Sequence, residues 1–339
     1  MSAPIVTGLM AYGMSGRIFQ APFLSTHPGF KLKAVVERSR KIMAGTYPGI
    51  VSYNTVDELL NDPEIELIVV NTPGYTHFDF ARQALKAGKH VLIEKPVAAT
   101  TAEFKALYDL SRETGNHVMV YQNRRWDSDF LAVKQVIESG RLGNLIEVNF
   151  RYDRYKPELS PKKFKEDATL PPNGLVYDLG PHLIDQAISL FGRPLSFRKI
   201  TAIHRENSEV IDYFSFQLTY PNQLNVNLTS GLLIAGPLPS FVVHGTLGSF
   251  IKNRCDVQEE QLDKNMKPTD PAYGQEPAGC EGKLILADLD DKKHTEQITS
   301  LKGDYTHLFE AVYQTIRNNA LYPITEEHIA WQMELLEAE

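Results

Sequence analysis

The sequence predicts an α/β protein in two parts, a doubly wound parallel sheet over residues 1–122 and an α+β domain over 123–339 built on a mainly antiparallel sheet. Three observations carry this. Short β-branched runs alternate with helix-like stretches through about the first 120 residues, the grammar changes after Tyr121, and two alternating segments flank the turn dipeptide Pro221-Asn222.

The runs Ile5–Leu9, Leu32–Val36, Ile65–Val70, His90–Ile93 and Val118–Tyr121 read as parallel strands, and unbroken apolar stretches such as Ile65–Val70 suit strands buried on both faces. Thr100 with Glu103 makes a capping box, Gly115 stops that helix, and Ala87-Gly88 ends the preceding one. Pro22 predicts that the first helix is short or kinked. Beyond Tyr121 a helix from about Asp127 to Ser139 stops at Gly140, and a strand follows at Leu145–Tyr152. A loop punctuated by Pro157, Pro161, Pro171 and Pro172 is long enough to be functional. A helix near Leu179–Phe191 precedes the hairpin Val210–Tyr220 and Gln223–Thr229. Strands at Phe241–His244, Ser249–Ile251 and Leu284–Asp288, then helices near Tyr305–Asn318 and Thr325–Ala338, complete the chain. Alternation in the hairpin predicts a sheet exposing one apolar face, and hence a homodimer or homotetramer through it.

Composition excludes several classes. With 35 basic and 42 acidic residues among 339, the formal charge is −7, and no long basic run offers a footprint for nucleic acid. The longest aliphatic cluster, Leu67–Val70, is far short of the roughly 18 residues of a membrane span. The opening Met1-Ser2-Ala3-Pro4-Ile5 has no basic region ahead of an apolar stretch, so no export signal is expected. Cys255 and Cys280 lack CxxC or CxxH companions, which suggests neither a disulfide framework nor a metal site and suits a reducing cytoplasm.

Five constellations could carry chemistry. Tyr12-Gly13-Met14-Ser15-Gly16 follows the first strand and opens a helix, the place of a dinucleotide-binding turn, with Ala11 in place of the first glycine. A tight strand-to-helix turn is the plainer alternative. At the end of the second strand, Glu37 could accept from the ribose hydroxyls of NAD, whereas Arg38 with Ser39 could bind the 2′-phosphate of NADP. A solvated charged loop is the alternative there. Two further strand ends carry Asn71-Thr72-Pro73, with His77 shortly after, and Glu94-Lys95-Pro96, in which Pro96 favours an extended Lys95. Lys95 could be a surface charge and His77 a helix-start residue. Last comes Tyr177–Asp185: Pro181 belongs in a first helical turn, placing Asp178 near the cap and His182 where the helix dipole keeps an imidazole neutral. Asp185 could orient that imidazole, and Asp178 could accept from a substrate hydroxyl; an N-cap aspartate and a packed histidine are the structural alternative.

Together, the glycine turn, Glu94-Lys95-Pro96, Tyr121–Asp127 and Asp178–Asp185 resemble the Gfo/Idh/MocA oxidoreductases over essentially the whole chain. The pieces Tyr12–Gly16, Asn123–Asp127, Tyr177–Gly180 and His182–Gln186, with His244-Gly245 and Gly248–Lys252, are similar to the NADP-dependent scyllo-inositol dehydrogenase branch. The resemblance implies a Rossmann domain followed by an open sheet used for subunit contact, and a cofactor that is NADP or NAD, with NADP narrowly favoured. It implies hydride transfer from a secondary alcohol of a cyclic polyol or sugar, with Lys95, Asp178 and His182 catalytic and Asn123 closing the site around the nicotinamide. Trp126, Arg154, Tyr155 and Asp185 stand as substrate candidates. Other branches of the family imply two alternatives, an NAD-dependent glycoside hydrolase and a cofactor-sensing regulator. The chain ends on a helix where relatives continue into a short strand, so truncation is expected there.

Overall fold

The computed structural model describes residues 3–288, 290 and 292–339, so Met1 and Ser2 of the opening stretch lie outside the described residues. It divides into two compact units.

The first unit begins with β1 (Ile5–Leu9), a π-helical turn at Ser15–Gln20 and α1 (Ala21–Thr26), so Pro22, in the first turn of α1, marks a break in the helix as expected. There follow β2 (Phe30–Val36), β3 (Val51–Tyr53), α2 (Val56–Leu60), β4 (Leu67–Val70), α3 (His77–Lys86), β5 (His90–Glu94), α4 (Thr101–Thr114) and β6 (Val118–Tyr121). All six strands are parallel in the order β3-β2-β1-β4-β5-β6. Leu67, Ile68, Val69 and Val70 are wholly buried, which explains the unbroken apolar run of β4 at the sheet centre. Thr100 caps α4 by accepting from the Glu103 amide, while the Glu103 carboxylate accepts from Ala99 N; Gly115 ends the helix in the left-handed region. Strand order reverses between β1 and β4, and at such a reversal the carboxyl ends of the strands open a crevice for ligand.

From Arg124 the chain enters the second unit with α5 (Ser128–Glu138), β7 (Leu145–Arg151), the short α6 (Leu175–Asp178), α7 (Gly180–Phe191), β8 (Ser196–Ala202), β9 (Tyr213–Thr219), β10 (Asn225–Gly231), β11 (Phe241–Gly245) and β12 (Gly248–Lys252). A second domain running unbroken from residue 123 was expected, whereas the chain returns twice to the first unit. Residues 258–273, carrying α8 (Gln258–Asp263), belong to the first unit. After β13 (Gly282–Ala287) and β14 (Lys293–Ile298) in the second unit, residues 304–326 return to the first with α9 (Thr306–Asn318). Aromatic packing explains these returns: Phe23 stacks on Phe309 at 4.9 Å and meets the wholly buried Tyr273 and Tyr305 edge-on or tilted. The chain ends on α10 (Glu326–Glu337), almost all of it in the second unit.

The second unit's eight strands run β14-β13-β12-β11-β7-β10-β9-β8, antiparallel except for the β7–β10 pair. Phe150, Phe214, Phe216, Val226, Leu228, Phe241 and Phe250 are buried on one face, in the unit where α7 buries Leu183, Ile184, Ala187 and Ile188. Around β7, β9 and β10 the other face is not the apolar one the hairpin suggested. Period-two alternation sends Phe150, Phe214 and Phe216 inward and leaves Glu147, Asn149, Asn227, Gln217 and Arg198 outward, with Asn227 Nδ2 donating to Asn149 Oδ1 at 3.0 Å, while Ile200, Val242, Ile251 and Ile285 share that outward face. Among the described residues no helix is long and apolar enough to cross a membrane, and no group of three or more His, Cys, Asp and Glu side chains could hold a metal ion.

Candidate active site

In the first unit the glycine turn is pinned to the end of β4 by one side chain. Asn71 Oδ1 accepts from Ala11 N at 3.0 Å, and its Nδ2 donates to Ala11 O at 2.8 Å. Gly16 is obligatory, because a Cβ there would lie 2.4 Å from Ala11 O, whereas a Cβ on Gly13 would meet nothing within 4 Å. The turn thus presents open backbone at Gly13 and the first amides of a helix, which have no intrahelical acceptor. Met14 is exposed, and Tyr12 meets Tyr47 edge-on at 6.4 Å, its hydroxyl held above the usual range mainly by burial.

Ser15 and Glu94, both expected to meet cofactor, instead meet each other. Ser15 Oγ donates to Glu94 Oε1 at 2.5 Å, and Gln20 Nε2 donates to the same oxygen at 3.0 Å. Glu94 therefore ties the end of β5 to the glycine turn. Lys95 follows, half-buried, and its peptide bond to Pro96 is cis.

Glu37 is corrected more sharply. Its Oε1 accepts from Ile42 N and Met43 N at 2.9 and 3.1 Å, its Oε2 accepts from Ser52 Oγ at 2.7 Å, and the residue is 6% exposed. A carboxylate so engaged shapes the loop that follows β2 and is turned away from a ribose diol; Arg38 and Ser39 remain exposed. His77 is likewise buried rather than outward, with Nδ1 2.7 Å from Pro96 O and Nε2 2.8 Å from Thr72 O. Thr72 Oγ1 meets Thr76 Oγ1 at 2.7 Å, and Thr76 Oγ1 donates to Pro73 O. These residues fit a dinucleotide: an open backbone at Gly13, a glycine enforced at Gly16, and an exposed guanidinium where the second strand ends.

In the second unit, Asp178 closes α6 instead of capping α7, whose N-cap position is Leu179. Its half-exposed carboxylate lies 3.9 Å from Arg154 Nη1, so two of the candidate residues are brought together. Arg154 stacks over the Tyr152 ring at 4.9 Å, and Arg254 and Arg124 meet the same ring at 4.0 and 5.2 Å. His182 is 6% exposed in the first turn of α7, with Pro181 beside it as expected. Asp185 does something other than orient it: Arg125 Nε and Nη2 donate to the two Asp185 oxygens at 2.7 and 2.8 Å, a buried bidentate pair. Trp126 is half-buried; Tyr155 is exposed and pairs only its backbone in an isolated bridge with Leu233. Asp127, fully buried, has its carboxyl held well above the usual range by burial and then by Asp256, against Arg124 and Arg254. The proline-rich loop is tied down by Glu166, which pairs with Arg205, itself bonded to Asp212.

Comparison with known proteins decides the family. The description "Oxidoreductase family, NAD-binding Rossmann fold" of GFO/IDH/MocA matches residues 6–122, and the GFO/IDH/MocA C-terminal domain matches residues 130–251. The chain belongs to the GFO/IDH/MocA family. It is 38% identical to an uncharacterized oxidoreductase of Schizosaccharomyces pombe over 99% of this chain and 96% of that one. It is 34% identical to the scyllo-inositol 2-dehydrogenase (NADP(+)) IolW of Bacillus subtilis, over 98% of this chain and 92% of IolW. The crystal structure of an oxidoreductase from Bacillus cereus superposes with a TM-score of 0.88 at 36% identity, covering 98% of this chain and 95% of that one. As a GFO/IDH/MocA protein the chain is an NAD(P)-dependent oxidoreductase, on a Rossmann domain and a second, mainly antiparallel sheet.

Sequence reading missed Gln20 and gave no positioning role to Asn71 or Arg125, though it named the motifs that hold them. Arg125 lies inside the Asn123–Asp127 motif, but nothing in the spacing shows that its partner is 60 residues away.

Proposed function

We propose that this GFO/IDH/MocA protein is an NADP-preferring dehydrogenase of a secondary alcohol on a cyclic polyol or sugar. The observation that carries the cofactor choice is the inward lock of Glu37, which removes the one carboxylate that would favour an unphosphorylated ribose and leaves Arg38 and Ser39 to a 2′-phosphate. The polyol rests on the similarity to IolW and on Lys95, Asp178 and His182 all being present.

Tyr12, Gly13, Met14, Ser15 and Gly16 would hold the pyrophosphate, Thr72, Pro73 and Asn123 the nicotinamide side. A bound nicotinamide supplies two-electron acceptance, as hydride from a carbinol carbon. The protein's part is proton and charge. His182, in the first turn of α7, takes the hydroxyl proton as general base. Lys95 stabilises the alkoxide that develops as the hydroxyl ionises. Asp178 accepts from a substrate hydroxyl, with Arg154 beside it to fix its orientation.

The outward sheet face of the second unit, which carries Asn149, Asn227 and Gln217 together with Val242, Ile251 and Ile285, is the surface we propose for self-association, to a homodimer or homotetramer. Two cysteines without CxxC or CxxH companions suit a reducing, cytoplasmic setting. The test is reduction of NADP and NAD followed by absorbance across inositols, aldoses and uronates, with light scattering on the same sample. Turnover of a cyclic polyol with NADP is expected, from an oligomer. Failure to reduce either cofactor with any of the panel overturns the substrate class, and a monomer at micromolar concentration overturns the assembly.

A further inference from the structure

The loops that follow the adjacent parallel strands β4 and β5 carry Thr72 and Lys95-Pro96, and one buried ring lies against both. His77, 1% exposed at the start of α3, places Nδ1 2.7 Å from Pro96 O and Nε2 2.8 Å from Thr72 O. Both partners are carbonyl oxygens, which only accept. A neutral imidazole can donate to one of them, and an imidazolium to both. The neighbouring Glu94 favours the charged ring and Lys95 opposes it, while burial, the largest influence, pushes the ring's pKa down.

The backbone around Lys95 is thus anchored on both sides. Glu94 is held by Ser15 and Gln20, and the Pro96 carbonyl by His77. We propose that His77 is a positioning residue, a clamp between the Thr72 and Pro96 carbonyls that fixes the loop from which Lys95 projects. This rests on the reading of Lys95 as the group that stabilises alkoxide. The role differs from that of a cofactor contact, because both ring nitrogens are taken up by backbone carbonyls. It also differs from that of a core filler, because an apolar ring of the same volume would take away the N–H that one of the two carbonyls accepts from and the polar edge that faces the other.

The test compares the full-length wild type with His77→Phe, which keeps ring volume, and His77→Gln, which keeps an uncharged N–H donor group. Backbone amide exchange is read by mass spectrometry over residues 71–77 and 93–99, together with kcat and the cofactor KM. In His77→Phe both segments should exchange about tenfold faster while the rest of the sheet is unchanged. Turnover should fall by about 10- to 100-fold, the scale of a misplaced catalytic group, with cofactor KM nearly constant. His77→Gln should recover part of the turnover. Unchanged exchange in either segment overturns the clamp. Loosened loops with wild-type kcat overturn the positioning role, as does a loss confined to cofactor KM. If His77→Phe does not fold, His77→Gln alone decides: it must lie below wild type in kcat with faster exchange in at least one of the two segments, and wild-type values in both overturn the proposal. A failure of the Lys95 reading shows separately, as turnover retained by Lys95→Ala, and leaves the exchange result standing.

Discussion

Ser52 on β3 donates its hydroxyl to Glu37 at the end of β2, 2.7 Å from Oε2, and with the amides of Ile42 and Met43 on Oε1 this consumes the carboxylate. A negative charge that would repel a 2′-phosphate is thereby turned away from the side where Arg38 and Ser39 are exposed. Arg38→Ala is expected to weaken NADP binding by about 10- to 100-fold, the worth of a charge-assisted contact, and to weaken NAD much less. Titration of both cofactors checks it. Equal losses for the two would mean that Arg38 only stacks on the adenine.

Lys95→Ala and His182→Ala should each lower turnover at least about a hundredfold, the scale of general acid–base groups, with cofactor affinity nearly constant. Steady-state kinetics on the best polyol, with cofactor titration alongside, reads both. Turnover largely retained by His182→Ala would transfer the base role to water or to Lys95.

The parallel half was legible because βαβ units advertise themselves: β1 and β6 fall where the apolar runs put them, and the break at Pro22 follows from its missing amide. The short β3 escaped, since Val51–Tyr53 is three residues long and none of them is buried. Strand β14, Lys-His-Thr-Glu-Gln-Ile, is nearly all exposed and carries no apolar alternation to read. In the second sheet the alternation was seen but its consequence misjudged: it predicts which residues go inward and says nothing of whether the outward ones are apolar. At the site, residue types were legible and partners were not. Glu37, Glu94, His77 and Asp185 all look available in sequence, and each is engaged by a group that only the fold brings near.

The Arg125–Asp185 pair sets Asp185 apart from Asp178, whose carboxylate is half-exposed. Asp185 is 2% exposed and both its oxygens are on one guanidinium, so Asp185→Ala takes from Arg125 the carboxylate that its Nε and Nη2 both meet. Breaking a buried pair in this way costs about 3–5 kcal/mol. Urea unfolding should show that loss, and Arg125→Ala a similar one, with the double variant losing less than the sum. The pH dependence of kcat in folded Asp185→Ala should keep its wild-type inflection; a displaced inflection would return Asp185 to the role of orienting His182.

His90 on β5 and His117 just before β6 stack at 5.2 Å, and the His117 amide donates to His90 Nδ1 at 3.0 Å. That bond uses the Nδ1 lone pair, so it requires the neutral ring. Burial first, then His117, lowers the His90 pKa from 6.5 to about 4. The sign follows from proton counting: between these two values the unfolded chain takes up a proton that the folded chain refuses, so stability falls as pH is lowered from 6.5 towards 4. His117, also lowered by burial, adds in the same direction. His90→Asn keeps an acceptor for the His117 amide and cannot titrate, and it should flatten the fall in urea midpoint across that window while leaving stability at pH 7.5 nearly unchanged. If the variant loses stability with pH as steeply as wild type, the acid sensitivity resides elsewhere and the pair is only packing.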